Sequence, residues 1–599
     1  MAKRTFPIDY TSRDFDSIRE DLINYTKRYY PDTFQDFSEA SFGSLMLDTV
    51  AYVGDIMSFY LDYQVNEGFL DTASEYSNVL RLAKQMGYKF TGPQSTTGMV
   101  SVYAIVPAAS TGLGPDTAYL PILKRNTTFS STNGGSFVLV EDIRFDNPAN
   151  DVVAANVSTS TGLPTSYAVK AQGQVISGEF GVSTFTIGAF EKFKKVTISN
   201  PNVVEIVSVF DSEGNEYFEV EYLTQDVVYK SVPNVDSNTR DNVPSLMRPF
   251  SASRRFVTSK NRSGIMMQFG FGSDTDSATS GLVDPANVVL KRAAKNYITD
   301  KSFDPSDLMG TDKLGIGPAN TTLTIVHRSN TTNNVNAAVG AITKITKPIY
   351  EFNSPAIAGT RTATNVITSL ESFNEEPILG TVRNPTVEEV RNQALNIFPA
   401  QNRAVTAADY EAIIYAMPGH LGAAKRCRVV RDQDSIKRNL NVYVVSENSF
   451  GKLALSNAAL KENIKIHLNR YRMINDTVDI LDAKIVNIGI DFEVVASEEI
   501  DRYAVLDNAT SALIRQFGKK TKFIGERFYI TDVMSALNKV RGVADTVNVK
   551  LISKRGSDYS SSTLNIDQFI SPDGRYLSVP DNVILEIKYP KIDIKGTVR

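Results

Sequence analysis

The sequence predicts a multidomain α+β protein with a helical N-terminal region, β-rich middle domains and C-terminal duplicated α/β (strand–helix–strand) modules. Apolar residues recur at helical spacing through about the first 90 residues. Short β-branched and aromatic runs, separated by Gly, Asn, Asp and Pro, then fill the middle. Helical and strand patterns alternate after about residue 385. At 599 residues the chain is too long for one core, because single cores stop growing at about 250–300 residues.

These changes of pattern divide the chain into regions with different expected roles. The predicted regions are a helical region for an inter-subunit core bundle at 1–95, one or two β-rich domains at 96–300, a small β domain and hinge at 301–385, an α/β module at 386–480, and a second α/β module with C-terminal strands at 481–599.

The first predicted helix covers residues 11–30. Phe15, Ile18 and Leu22 begin an apolar stripe at three- and four-residue spacing, which is typical of an amphipathic helix. Thr11 is a suitable N-cap. Pro31 would stop the helix, because proline cannot continue one.

The second predicted helix, residues 38–66, is unusually apolar. Its apolar side chains cover about 200° of the circumference, whereas a surface helix buries a face of about 100°. The remaining stripe carries Asp48, Asp55 and Asp62 at seven-residue intervals. We interpret this acidic stripe either as a solvated face or as a contact for a basic partner helix. The helix needs cover on two sides, either from the chain's own bundle or from other subunits. A third helix is expected at 74–85.

We predict that this helical region binds partner proteins through the apolar stripes of its first two helices and through the acidic stripe of the second. The candidate partner-binding residues are Phe15, Ile18, Leu22, Phe42, Met46, Val50, Val53, Met57, Tyr60, Asp48, Asp55 and Asp62.

The pattern of the rest of the chain predicts strands, followed by alternating helices and strands. Strands are expected through 98–280, followed by a helix at 286–297 and further strands from 323. Residues 370–386 contain a glycine and two prolines between the β and α/β regions, and this stretch is the hinge candidate. Helices then follow at 385–395, at 405–417 with Thr406 as N-cap, and at 455–471.

Composition argues against several classes of function. The formal net charge of −4 gives no electrostatic footprint for nucleic acid or for an anionic membrane. The aspartates of the second helix interrupt the best candidate for a membrane span. The single cysteine, Cys427, provides no disulfide framework and favours folding in a reducing compartment.

The sequence offers few candidates for chemistry. His327, His420 and His467 lie far apart without metal-ligand spacing, and Cys427 sits in a predicted strand as a small core residue. We therefore expect no catalytic residue, metal, cofactor or small-molecule substrate. Two rival functions stay open, a glycan hydrolase on the β-rich middle and a host-binding adhesin suggested by the Asn-, Ser- and Thr-rich loops.

Several segments together resemble the baseplate J-like family, specifically the large wedge proteins of T-even-type contractile-tailed phages. At the N-terminus these are IDYTSRDFDSIREDL (8–22), FSEASFGSLMLDTVAYVGDIMSFYLD (37–62) and LRLAKQMGYKF (80–90). Further along the chain they are GIMMQFGFG (264–272), RAVTAADYE (403–411) and IGERFYITDVMSALNKVRGVADTVNV (524–549).

The resemblance implies a structural, non-enzymatic subunit of a virion tail baseplate, made and assembled in the host cytoplasm. In that family two copies enter each wedge, and the wedges close into a ring around the tail tube. The implied partners are a second copy of the chain and other baseplate wedge proteins. The ring would rearrange to trigger sheath contraction. A component of a related contractile injection system is the alternative within the same architecture.

Overall fold

The structure is a computed structural model. It describes residues 14–32, 41–90, 92, 94–111, 113–233, 245–261, 263–272, 314–330, 335–380, 385–401, 403–432, 439–448, 450–497, 501–518 and 522–599.

The fold class predicted from the sequence is confirmed: helices come first, strands dominate the middle, and both alternate near the C-terminus. In chain order the described helices are α1 Phe15–Tyr29, α2 Phe42–Asn66, α3 Tyr76–Gln85, α4 Arg361–Thr368, α5 Val387–Ala400, α6 Ala407–Tyr415, α7 Ala458–Leu468, α8 Arg502–Phe517, α9 Ile530–Asn538, α10 Ile566–Phe569 and α11 Pro590–Asp593.

The chain divides into two compact units. A helical unit comprises residues 1–89 and 385–399, and a larger unit comprises residues 90–384 and 400–599. The helical unit therefore combines α1, α2 and α3 with most of α5, which lies some 300 residues later in the chain. Local sequence pattern gave no indication of this long-range grouping.

Two seven-stranded sheets form the β-rich part of the larger unit. The first has the order β17 (Ile342–Lys347), β3 (Thr128–Ser131), β4 (Ser136–Leu139), β7 (Pro164–Ser177), β1 (Thr97–Pro107) and β19 (Glu371–Phe373), with β6 (Asp151–Val157) also on β7. The second has the order β8 (Glu179–Ile187), β16 (Thr321–Ser329), β10 (Val203–Phe210), β11 (Glu216–Glu219), β14 (Arg255–Asn261), β15 (Gly264–Phe269) and β9 (Lys195–Ile198).

Smaller pairings complete this part of the chain. They are the hairpin of β12 (Val227–Pro233) with β13 (Ser245–Ser251) and the three-stranded sheet of β18 (Tyr350–Phe352), β2 (Pro121–Leu123) and β5 (Ile143–Arg144).

Two four-stranded sheets carry the C-terminal α/β part. In the first, β21 (Asn439–Glu447) pairs antiparallel with β20 (Arg426–Arg431) and β22 (Leu453–Ala454) and parallel with β23 (Thr477–Asp482). In the second, β24 (Lys484–Ala496) pairs antiparallel with β26 (Val543–Ser553) and parallel with β28 (Val583–Glu586) and β29 (Ile594–Val598). A short pair, β25 (Phe528–Tyr529) with β27 (Tyr576–Leu577), lies alongside.

The predicted start of helix α6 is confirmed. Helix α6 begins after Thr406, whose side chain accepts from the Asp409 amide while the Asp409 carboxylate accepts from the Thr406 amide, a complete capping box. Helix α1 begins after Asp14, and the predicted N-cap Thr11 lies outside the described residues. The helix predicted at 286–297 also lies outside them.

Much of the predicted hinge stretch is anchored in the β-rich part. Residues 371–373 form β19 on β1. Asn374 is fully buried and donates to the Ala338 carbonyl at 2.7 Å, and Ile378 is also fully buried. The Gly380 amide also donates to Oδ1 of Asn336, at 2.8 Å. The hinge itself stays a prediction, and residues 381–384 of the stretch lie outside the described residues.

Candidate interaction surface

Helix α2 turns its small and acidic stripe towards α1. Ser44 and Ala51 are buried on this stripe. Gly54 lets α1 come close, because a Cβ at that position would lie 3.3 Å from Cδ1 of Ile18. Nε of Arg19 donates to Oδ1 of Asp48 at 2.5 Å. Small residues permit this close helix packing, and so the larger side chains of α2 are left to face away from α1.

The opposite and much wider side of α2 is apolar and exposed. The exposed fractions of its side chains run from 50% at Val53 to 76% at Phe42. We call this surface the α2 apolar face; its members are Phe42, Leu45, Met46, Val50, Tyr52, Val53, Met57, Phe59, Tyr60, Leu61 and Val65.

The predicted partner-binding residues fall into three groups. Phe42, Met46, Val50, Val53, Met57 and Tyr60 belong to the α2 apolar face and are exposed. Phe15, Ile18 and Leu22 are half-buried on α1, the helix that packs on α2. Asp48 contacts Arg19 of the same chain, Asp55 is half-buried, and Asp62 is exposed. Binding of a partner by these residues stays a prediction.

The candidate partner-binding residues predicted from the sequence do not include one side of the α2 apolar face. Leu45, Tyr52 and Phe59 are each about 60% exposed or more and recur every seven residues. They lie on a line next to the one formed by Met46, Val53 and Tyr60. The small residues on the opposite stripe were the available signal, because they show which side of the helix accepts a close neighbour within the chain.

Glu67 fixes the turn between α2 and α3. Its Oε1 accepts from the amide and hydroxyl of Ser74 at 2.8 and 2.7 Å, and its Oε2 accepts from Nδ2 of Asn78 at 3.0 Å. These hydrogen bonds, that of Asn78 foremost, lower the pKa of Glu67 to about 2. The ionised carboxylate of Glu67 therefore holds the turn in place, and the turn sets the direction of α3.

Arg391 of α5 ties that helix to the same turn. Its Nε donates to the Leu70 carbonyl at 2.7 Å, and an Nη donates to the Ala73 carbonyl at 2.8 Å. The hydroxyl of Tyr76 on α3 also donates to the Pro385 carbonyl, at 3.0 Å. These bonds hold the helical unit together while its α2 apolar face remains open.

The three histidines and the cysteine lie in the larger unit, and burial favours the uncharged form of each side chain. Burial lowers the pKa of His327 and of His420, and lowers the pKa of His467 to about 4. Burial also raises the pKa of the Cys427 thiol, which keeps it protonated and a poor nucleophile. Across the described ranges, no three His, Cys, Asp or Glu side chains converge as a metal site.

No helix in the described part of the chain is long and apolar enough to cross a membrane.

Comparison with known proteins links the helical unit to phage baseplates. Residues 14–85, which hold α1, α2 and α3, match the family model described as the bacteriophage baseplate protein, N-terminal domain. No curated protein matches the chain in sequence.

Two solved structures share low similarity over long stretches. One is a chain of the anti-feeding prophage (AFP) baseplate, at 9% identity and a TM-score of 0.25, covering 97% of this chain and 99% of that one. The other is a chain of the type VI secretion system TssK-TssF-TssG baseplate subcomplex, at 8% identity and a TM-score of 0.24, covering 74% of this chain and 96% of that one.

Proposed function

We propose that this chain is a non-enzymatic structural subunit of a phage tail baseplate wedge, in which the α2 apolar face is buried against other subunits. The observation that carries the proposal is the exposure of this face within the segment that matches the baseplate N-terminal domain. Burying six such side chains contributes on the order of 9–18 kcal/mol before the entropy of association is subtracted. Obligate interfaces are more hydrophobic than transient ones, and the apolar character of this face suits an obligate contact.

The face is broad enough to receive two partner helices. Leu45, Tyr52 and Phe59 form one seven-residue line. Met46, Val53 and Tyr60 form a second line about 100° further round the helix. Helices pack along such lines with side chains interdigitated. We propose that one line receives a second copy of this chain and the other a different wedge protein.

In this role the wedges close into a ring around the tail tube in the virion, after assembly in the host cytoplasm. The ring transmits the rearrangement that triggers sheath contraction. A baseplate component of a related contractile injection system would use the same surface in the same way. The chain contributes contacts and shape to the particle rather than catalysis.

The proposal is tested by the solution mass of the full chain measured by analytical ultracentrifugation. We expect a dimer or larger species for the unaltered chain. The double variant Val53→Glu and Met57→Glu places two charges on the α2 apolar face. It should weaken association at least tenfold, because a buried unpaired carboxylate is strongly disfavoured. Circular dichroism should stay unchanged, since both side chains are exposed in the single chain.

Val182→Glu on β8 is the matched control, because Val182 is also exposed and apolar (64%) but lies outside the helical unit. Its mass should equal that of the unaltered chain. If the unaltered chain is a monomer, co-expression with neighbouring tail proteins becomes the test. A chain that stays monomeric and also fails to co-purify with them contradicts the proposal.

A further inference from the structure

A set of polar contacts joins the β-rich part of the larger unit, residues 94–380, to its α/β part, residues 400–599. We call this set the polar seam. It consists of the Ser95 amide donating to the Gly419 carbonyl at 3.0 Å, Nδ2 of Asn457 donating to the Thr97 carbonyl, the Ala458 amide donating to Oε2 of Glu376 at 2.9 Å, and Nδ1 of His420 lying 3.8 Å from Oε2 of Glu205.

Within the described part of the chain, the buried apolar clusters stay on one side of the polar seam or the other. Every such cluster formed by described residues alone lies wholly within one part: two lie between residues 100 and 378, and three between residues 404 and 594. Apolar burial is the main source of permanent association. The two parts are therefore joined by the hydrogen bonds of the polar seam and by packing of α7 on β1, without a shared buried apolar cluster among the described residues.

The two C-terminal modules are joined in a different way. Val445 of the first module shares a buried apolar cluster with Ile485, Ile524 and Ile584 of the second. An ion pair between Arg428 and Asp581, at 3.0 Å, adds to this contact. Separating these modules would expose apolar surface to water. Residues 400–599 should therefore keep their internal arrangement when other contacts change.

Opening the polar seam would leave several of its side chains with partners in their own part. On the β-rich side, Glu205 keeps its bond from Nε of Arg328 at 2.8 Å, and Arg328 also donates to the hydroxyl of Ser95 at 2.8 Å. On the α/β side, Asn457 still caps α7 by accepting from the Leu460 amide at 2.9 Å. The released amides of Ser95 and Ala458 and the released carbonyls of Thr97 and Gly419 would be hydrated by water, so opening costs little beyond the seam contacts themselves.

We propose that the α/β part, residues 400–599, moves as one rigid body relative to the β-rich part by opening of the polar seam. Compact bodies with their own cores and a weak polar contact between them are suited to hinge motion. The inference deepens the proposed function, because a subunit that transmits a rearrangement needs a joint that opens without unfolding. The polar seam supplies such a joint.

Hydrogen exchange on the isolated full chain tests the proposal. Asn457→Asp keeps the cap of α7, because aspartate caps as well as asparagine. It removes the donor to the Thr97 carbonyl and sets a carboxylate against that oxygen. We expect exchange of the Ser95 amide to rise about tenfold, which corresponds to about 1.4 kcal/mol. Ser95 makes no contact with Asn457 in the polar seam. Loss of the Asn457 hydrogen bond alone would therefore leave exchange of the Ser95 amide unchanged, whereas opening of the whole seam would speed it.

A second seam variant and a matched control complete the design. Glu376→Ala removes the acceptor for the Ala458 amide and should also speed exchange at Ser95. Glu375→Ala alters the neighbouring glutamate, which accepts from Lys170 at 2.6 Å and from Ser101 at 2.9 Å inside the β-rich part. That control should leave exchange at Ser95 unchanged.

Amides of β21, next to the apolar contact between the C-terminal modules, report whether the α/β part stays intact. Their exchange should not change in either seam variant. Unchanged exchange at Ser95 in both seam variants would overturn the proposal, as would an equal rise throughout β21. If Asn457→Asp does not fold, Glu376→Ala decides alone. The isolated chain needs no partner here, so failure would leave the proposed assembly untouched.

Discussion

At the residue scale, two charged side chains fix the helical unit. The carboxylate of Asp48 binds Arg19 and so aligns α1 on α2. The carboxylate of Glu67 collects donors from Ser74, Glu75 and Asn78 and so orients α3. Both contacts use acidic residues that sequence pattern alone would place in solvent. Their partners come from other helices or from the turn, and this decides their role.

Glu67→Gln should destabilise the helical unit at neutral pH. The glutamine side chain has one acceptor oxygen where glutamate has two. Its NH2 group cannot accept the hydrogen bond that Nδ2 of Asn78 donates to Glu67. The folded state lowers the pKa of Glu67 from 4.5 to about 2. The stability gained from the ionised carboxylate is therefore present above about pH 4.5 and is lost as pH falls towards 2.

Urea unfolding followed by circular dichroism checks this expectation. The midpoint of Glu67→Gln should lie below that of the unaltered chain at pH 7, and the difference should shrink by pH 3. Glu20→Gln, at an exposed position of α1, is the control and should show no difference at either pH. A difference that stays constant between pH 7 and pH 3 would show that Glu67 does not act through its charge.

At the element scale, α2 has its sides reversed relative to an ordinary surface helix. Small and acidic residues face α1, and the large apolar residues face outwards. A surface helix normally turns its apolar stripe to the core of its own chain. The reversal shows that the stability of this helix within one chain depends on close approach rather than on large buried side chains.

Ala51→Leu tests that close approach. Ala51 is fully buried, so a larger side chain should separate α1 from α2 and lower the free energy of unfolding by about 1–3 kcal/mol. The neighbouring change Val50→Leu adds bulk at an exposed position and should alter it by less than about 0.5 kcal/mol. Both values follow from chemical denaturation of the full chain. Equal effects from the two variants would contradict the assignment of the buried face.

The capping box of α6 provides a test in the larger unit. Thr406→Ala removes the hydroxyl that accepts from the Asp409 amide at 3.3 Å. It should lower the free energy of unfolding by about 1 kcal/mol. Thr406→Ser keeps the hydroxyl and should stay close to the unaltered chain in the same denaturation experiment. A loss as large for serine as for alanine would mean that packing of the methyl group matters more than the cap.

At the scale of the whole molecule, the helical unit and the larger unit each hold their own buried residues. Large proteins built of separate units commonly unfold in more than one step. Calorimetry of the full chain should therefore show at least two transitions. Ala51→Leu should lower one transition, by about 4–8 °C for each kcal/mol lost, and leave the other in place. A single transition that shifts as a whole would show that the units unfold together.

The sequence by itself determined the element order and several boundaries, because these depend on local chemistry. Periodic apolar residues predicted α1 and α2, and Thr406 as N-cap predicted the start of α6. Alternation of β-branched residues with turn residues gave the β-rich middle. The excess of apolar residues on α2 was also visible, since 3.6-residue periodicity fixes which side chains share a face. Six of the candidate partner-binding residues, from Phe42 to Tyr60, were found in this way.

Only the tertiary structure decided which element packs on the small-residue side of α2 and which contacts hold the parts together. Periodicity shows that a face exists but not which neighbour covers it, because that depends on residues far away in the chain. Arg19 approaches Asp48 across 29 positions of the sequence, Arg391 reaches the Leu70 carbonyl across 321, and Asn457 reaches the Thr97 carbonyl across 360. Such pairings are set by the packing of whole elements, which local sequence does not encode.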